Sequence, residues 1–196
     1  MRKVVFATGN KGKLKEVIDI FSDTKIQIIP MDELGNIPEI EEDGLTFEDN
    51  ALIKARFVYS KYGLPTIADD SGLSIEQLGG KPGVLSARYA GEGCTFNDNN
   101  LKVLKELEGL PEPHKAQFMS VAIYFNGRSL QTCVGKLPGK IIDDFRGSNG
   151  FGYDPIFVPD GYETTLAEMT LQEKNKISHR AKAFNQLKEI LLTTEV

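Results

Sequence analysis

An apolar run from Val4 to Ala7 stops at Thr8-Gly9-Asn10, and directly beyond it Leu14, Val17, Ile18 and Phe21 recur at helical spacing. The hydrophobic period switches from strand to helix across one tight loop. A chain that opens this way needs a sheet for its strand and a layer for its helix, so α/β is the class it points to. The alternation continues. Ile26 to Ile29 reads as a second strand, stopped by Pro30. Thr46-Phe47-Glu48-Asp49 reads as a helix start: Thr46 can cap, Glu48 and Asp49 suit the positive end of the dipole, and Phe47, Ala51, Ala55 and Val58 line one face. Lys54 lies off that stripe, on the side of Asn50. Leu64 to Ala68 is a further strand that runs straight into Asp69-Asp70-Ser71-Gly72, and residues 96–108 read as a helix. Phe118–Phe125 and Ser129–Val134 flank Asn126-Gly127, a pair suited to the positive φ angles of a type I′ turn, so the sheet is at least partly antiparallel. Phe184, Leu187 and Leu191 mark the apolar face of a terminal helix.

No repeat, low-complexity tract or linker divides the 196 residues, so residues 1–196 read as one continuous unit. Hydrophobic residues at 40% and charged residues at 26% exclude disorder as the main state. With 23 basic against 28 acidic side chains the net charge is -5, which argues against broad electrostatic capture of nucleic acid or an anionic membrane; any phosphate must be held locally. No stretch approaches the ~18 to 20 apolar residues of a membrane span, and the run after Met1 is too short for a signal peptide, so a cytoplasmic location is expected. Cys94 and Cys133 stand far apart without a C-x-x-C or a His-rich neighbourhood, which indicates reduced, structural thiols.

Five segments could carry chemistry. Thr8-Gly9-Asn10-Lys11-Gly12-Lys13 joins a strand to a helix N-terminus, where backbone N–H groups and the dipole attract anions, and adds a hydroxyl, an amide and two ammonium groups; the alternative is a lysine-rich exposed turn. It matches neither the P-loop nor the G-x-G-x-x-G pattern. Asp69-Asp70-Ser71-Gly72 sits at the end of a strand, where ligands collect in α/β sheets, and two carboxylates there suit a hard cation; the alternative is an Asp turn capping the next element. Residues 31–50 hold Asp32, Glu33, Glu39, Glu41, Glu42, Asp43, Glu48 and Asp49 and no Lys or Arg, so one or two could complete a metal site while the rest are solvated. Phe151-Gly152-Tyr153-Asp154-Pro155 sets two aromatics and a carboxylate around a glycine, as a flat base could use, or as core packing beside a turn would. Ser178-His179-Arg180 puts His179 and Arg180 at the positive end of the last helix, where cations are disfavoured.

In this order, together with Phe47 to Ala55, Gly79-Gly80-Lys81-Pro82-Gly83 and Ser86-Ala87-Arg88-Tyr89, these motifs closely resemble the inosine/xanthosine triphosphate pyrophosphatase family, from residue 3 to about 184. The resemblance implies an elongated mixed β-sheet flanked by helices, two lobes with the site in a cleft, and a homodimer. It implies hydrolysis of the non-standard purine triphosphates ITP, dITP and XTP to NMP and pyrophosphate with Mg²⁺. Within the phosphate loop, residues 8–13, it implies that Thr8, Asn10 and Lys13, with Lys54, hold phosphates, that Asp70 serves water and metal, and that Ser71 contacts substrate. Glu42 joins Asp70 on the metal, its spacing to Lys54 favouring it over Glu41, with Asp69 a lesser candidate. Phe151, Gly152, Tyr153, Asp154, Lys174, His179 and Arg180 form the base end. A purine-nucleotide sensor without hydrolysis, or a sugar-phosphate phosphatase releasing orthophosphate, are the rival readings.

Overall fold

The computed structural model describes residues 2–35, 37, 38 and 40–193, so Glu39 of the acidic stretch lies outside the described residues. The opening strand, helix and strand are β1 (Arg2–Phe6), α1 (Lys11–Phe21) and β2 (Ile26–Pro30). After them come α2 (Phe47–Tyr62), β3 (Thr66–Ile75), α3 (Phe96–Leu107), β4 (His114–Phe125), β5 (Leu130–Ile141), β6 (Phe157–Pro159), α4 (Leu171–Ile177) and α5 (His179–Thr193). The six strands form one sheet in the order β2-β1-β3-β4-β5-β6. It is mixed: β1 runs parallel to β2 and β3, whereas β5 and β6 are antiparallel. No helix among the described residues is long and apolar enough to cross a membrane.

Local chemistry sets the helix starts. Thr46 accepts from Asp49 N while Asp49 returns a bond to Thr46 N, and the same reciprocal cap recurs at Thr95 with Asp98 and Thr170 with Glu173. Two expectations change. The strand expected to end at Ala68 continues through Asp69, Asp70, Ser71 and Gly72 to Ile75, because the residues beyond the carboxylates are buried and stay in the sheet. Asn126 keeps a negative φ, so the turn is not type I′: its side-chain Oδ1 accepts from Arg128 N at 3.0 Å and Ser129 N at 2.7 Å, closing a longer loop. The last helix begins at His179 as expected, and the extended Ser178 before it also ends the short α4.

The chain clusters into two units, residues 1–70, 120–135 and 179–196 forming the first and residues 71–119 and 136–178 the second. Each has its own core. In the first, Val4, Phe6, Val17, Phe21, Ile67, Tyr124, Phe184 and Leu187 pack together, with Phe184 edge-on to both Phe6 and Phe21. In the second, Leu73, Val103, Leu107, Phe118, Ile156, Phe157 and Leu166 do the same. Cys133 is buried in the first core and Cys94 is half-buried; both are free thiols.

Candidate active site

Adjacent residues of a strand point to opposite faces, and this separates the two aspartates of β3. Asp69 meets α1 and α5. Its Oδ2 accepts from Arg180 Nε at 3.1 Å and from Ser120 Oγ at 3.3 Å, while Lys13 Nζ stands 3.2 Å from Oδ1 as an ion pair. Arg180 also donates through Nη1 to Glu16 Oε2 at 2.6 Å, one turn along α1 from Lys13. Glu16, Asp69 and Arg180 are all buried. Burial alone would raise the Asp69 pKa, but Lys13 and Arg180 hold it well below the usual carboxylate range. Burial pushes the Lys13 ammonium down, against the pull of Asp69. The result is a charge-balanced quartet of two acids and two bases, buried except for the half-buried Lys13.

Asp70 meets α2 instead. Asn50 Nδ2 donates to Asp70 Oδ2 at 3.1 Å, and Lys54 Nζ lies 3.9 Å from Asp70 Oδ1 and 2.6 Å from Glu42 Oε2. Asn50 and Lys54 are one helical turn apart, so both reach the same spot. Burial pushes the Asp70 pKa up, opposed by Lys54, Lys13 and the Asn50 hydrogen bond. Two hard oxygen donors thus converge on a single positive charge, a donor set that fits a divalent cation. No group of three or more His, Cys, Asp or Glu stands together among the described residues, but Mg²⁺ needs only one or two carboxylates beside phosphate oxygens and water. Glu42 reaches this spot, whereas Glu41 is exposed and Asp69 is turned to the other face.

The phosphate-loop residues sit between β1 and α1. Asn10 caps α1, its Oδ1 accepting from Gly12 N at 2.8 Å and Lys13 N at 3.1 Å, and Thr8 Oγ1 accepts from Asn10 N at 3.2 Å. Two helix-start amides expected to face an anion are therefore satisfied by Asn10. Side chains are left as the principal cations of this segment: Lys13 is half-buried and Lys11, like Gly9, is exposed. Ser71 is half-buried on β3.

Phe151, Gly152, Tyr153, Asp154 and Lys174 belong to the second unit, His179 and Arg180 to the first. Asp154 Oδ2 accepts from Phe151 N at 2.9 Å and from Lys174 Nζ at 2.5 Å. The carboxylate lies against Gly150, where an added Cβ would stand 2.1 Å from Asp154 Oδ2. Lys174 Nζ also stands 4.8 Å from the ring centre of half-buried Phe151, and Phe96 contacts that ring from α3. Asn100 Nδ2 donates to Gly152 O at 3.0 Å, which fixes the turn.

Two of the expected base-end residues lie in the packed interior. Tyr153 is a core residue, 3% exposed, whose hydroxyl donates to Ser86 O at 2.8 Å. Arg180 is 1% exposed, and its guanidinium donates through Nε to Asp69 and through Nη1 to Glu16. His179 is buried at the start of α5. Sequence reasoning also missed Asn50, Glu16 and Ser120 as residues of the site. Their signal was weak: each takes its partner from a segment distant in sequence.

A model described as the Ham1 family matches residues 4–190 of this chain. The chain is 50% identical over 195 residues to a protein of Caldanaerobacter subterraneus subsp. tengcongensis named dITP/XTP pyrophosphatase, with 98% of this chain and 97% of that one covered. A protein of Thermoanaerobacter pseudethanolicus with the same name is 50% identical over 191 residues, covering 97% and 96%. The solved structure of a HAM1 protein from Coxiella burnetii superposes with a TM-score of 0.89 at 42% identity, covering 99% of this chain and 100% of that one.

Proposed function

The chain belongs to the Ham1 family, and on that premise we propose that it hydrolyses the non-standard purine triphosphates ITP, dITP and XTP to the monophosphate and pyrophosphate, with Mg²⁺ as cofactor. The observation that carries the reading is the buried Asp70 carboxylate, held by Asn50 and placed with Glu42 around one positive charge. Glu42 and Asp70 would hold the metal. When bound, the metal supplies charge for the phosphates and lowers the pKa of a water.

The remaining work falls to the chain's own groups. Asp70 takes a proton from water as the water oxygen bonds to the α-phosphorus. The bond from that phosphorus to the bridging oxygen breaks, and pyrophosphate carries the electron pair away. Lys13 and Lys54 offset its developing charge, with Thr8 and Asn10 beside them. Burial favours this use of Asp70, since a carboxylate with a raised pKa is a stronger base. The quartet on the other face of β3 holds Lys13 against Asp69 without drawing on Asp70.

At the base end Phe151, Gly152, Asp154, Lys174 and His179 are proposed to meet the purine, with Ser71 as a substrate contact, while Tyr153 and Arg180, both buried, are proposed to form that end from the interior. Lys174 is a donor that suits a 6-keto oxygen; the 6-amino group of adenine would set donor against donor, and a site of that kind can reject its wrong partner by up to ~10⁴ to 10⁵. A cytoplasmic homodimer, with no nucleic acid or membrane partner, belongs to the same proposal and is supported by the family resemblance. The test is product analysis: purified protein with dITP, XTP, GTP and ATP, with and without Mg²⁺. Pyrophosphate from dITP and XTP, with ATP the poorest substrate, is expected. Orthophosphate as the product, or purine nucleotide bound without turnover, would overturn it.

A further inference from the structure

Residues 40–46 carry the metal-facing Glu42 in a stretch without helix or strand, so its carboxylate needs something other than regular structure to hold it near Asp70. The tie is visible. Asn50, 2% exposed on the first turn of α2, accepts from Gly44 N through Oδ1 at 2.8 Å and donates to Asp70 Oδ2 through Nδ2 at 3.1 Å. Gly44 is two residues from Glu42, and the approach is close: a Cβ on Gly44 would stand 2.6 Å from Asn50 Oδ1 and 2.6 Å from Asp49 Cβ. We propose that Asn50 is the positioning residue of the active site, one amide that sets the Glu42 segment and the Asp70 carboxylate in register, and that Gly44 is glycine to permit it.

The amide is suited to this because its two ends have opposite hydrogen-bonding character and lie in one plane. The oxygen end fixes a backbone N–H of the irregular segment. The nitrogen end occupies one oxygen of Asp70, which leaves Oδ1 as the oxygen turned toward Lys54. Asn50 itself touches neither water nor phosphate in this scheme; it acts through Asp70 and Glu42. Groups that orient a metal-binding carboxylate typically cost ~10- to 100-fold in affinity or activity when removed.

The inference deepens the function proposed above, so its test has one arm that needs no nucleotide. Asn50→Asp retains an acceptor for Gly44 N–H but replaces the donor facing Asp70 with a second carboxylate oxygen; Asn50→Ala removes both ends. Amide hydrogen exchange of Gly44, read by NMR without nucleotide or metal, should be slow in the wild type and Asn50→Asp and at least ~10-fold faster in Asn50→Ala. With dITP and Mg²⁺, both variants should lose ~10- to 100-fold in kcat, while KM moves far less because Lys13 and the base end are untouched. Gly44→Ala, which leaves Asn50 and Asp70 in place, should also lower kcat more than it raises KM. Gly44 exchange unchanged in Asn50→Ala, or kcat unchanged in Asn50→Asp, would overturn the positioning role. Absence of pyrophosphate release by the wild type would instead overturn the proposed reaction, with the exchange arm still deciding the tie.

Discussion

At the scale of the residue, Asp70 is the proposed base and its surroundings set its pH range. Asp70→Asn keeps the shape and the Asn50 partner but removes the proton acceptor, so kcat should fall by ~10² to 10⁴ while nucleotide still binds. The sign of the pH effect follows from the direction of its shift. Burial raises the Asp70 pKa, and a base works only when ionised, so activity is present above that pKa and is lost as pH falls through it. In the protein without metal or nucleotide the Asp70 carboxyl should therefore titrate above the ~3.9 of an ordinary aspartate, followed by NMR of the side-chain carboxyl. A midpoint at or below that value would show that burial does not set the basicity of Asp70.

At the scale of the element, α1, β3 and α5 meet through charges rather than only through Phe6, Phe21 and Phe184. Glu16 and Lys13 come from α1, Asp69 from β3 and Arg180 from α5, and the chain Glu16–Arg180–Asp69–Lys13 is balanced in charge. Truncating one member strands the others without water. Arg180→Ala leaves two buried carboxylates facing each other's field and should cost ~3 to 5 kcal/mol, read as a lowered Tm that dwarfs any change in purine selectivity. A stable Arg180→Ala variant with altered selectivity would return Arg180 to the base. Asp69 gives this junction a pH signature. Its folded pKa lies below its unfolded value, so its stabilisation is in place above ~3.9 and is lost as pH falls from there toward the folded value. Asp70, shifted the other way, contributes in the opposite sense, so the comparison must be between the wild type and Asp69→Asn. The variant should melt lower at neutral pH yet lose less of its remaining Tm between about pH 5 and 3. A parallel decline in both proteins would show that the junction is not held by an ionised Asp69.

At the scale of the whole molecule, two cores share three strands: the chain passes from one unit to the other inside β3, β4 and β5. Neither core is closed within a separate stretch of sequence, so unfolding is expected as one cooperative transition. Phe184→Ala in the first core and Phe157→Ala in the second should each cost ~3 to 5 kcal/mol and lower the same midpoint, whether followed by far-UV circular dichroism or by tyrosine fluorescence in this tryptophan-free chain. Two separable transitions, each sensitive to only one substitution, would contradict it. What the sequence determined by itself was whatever depends on neighbours within about one helical turn. The periods of β1 and α1, the Thr46 cap with Asp49 three residues on, and the alternation that makes the fold α/β all need no distant partner. The motif order was legible too, and with it the family. Tertiary structure alone decided what each motif residue does. Asp69 and Asp70 are identical side chains one position apart, and only the placement of α1 and α5 on one face of β3 and α2 on the other makes one a structural anchor and the other the proposed base. Arg180 and Glu16 lie 164 positions apart, and Tyr153 and Ser86 are 67 apart. No local pattern encodes those pairings, because a buried charge or hydroxyl takes the partner that the packing of distant elements brings within about 3 Å.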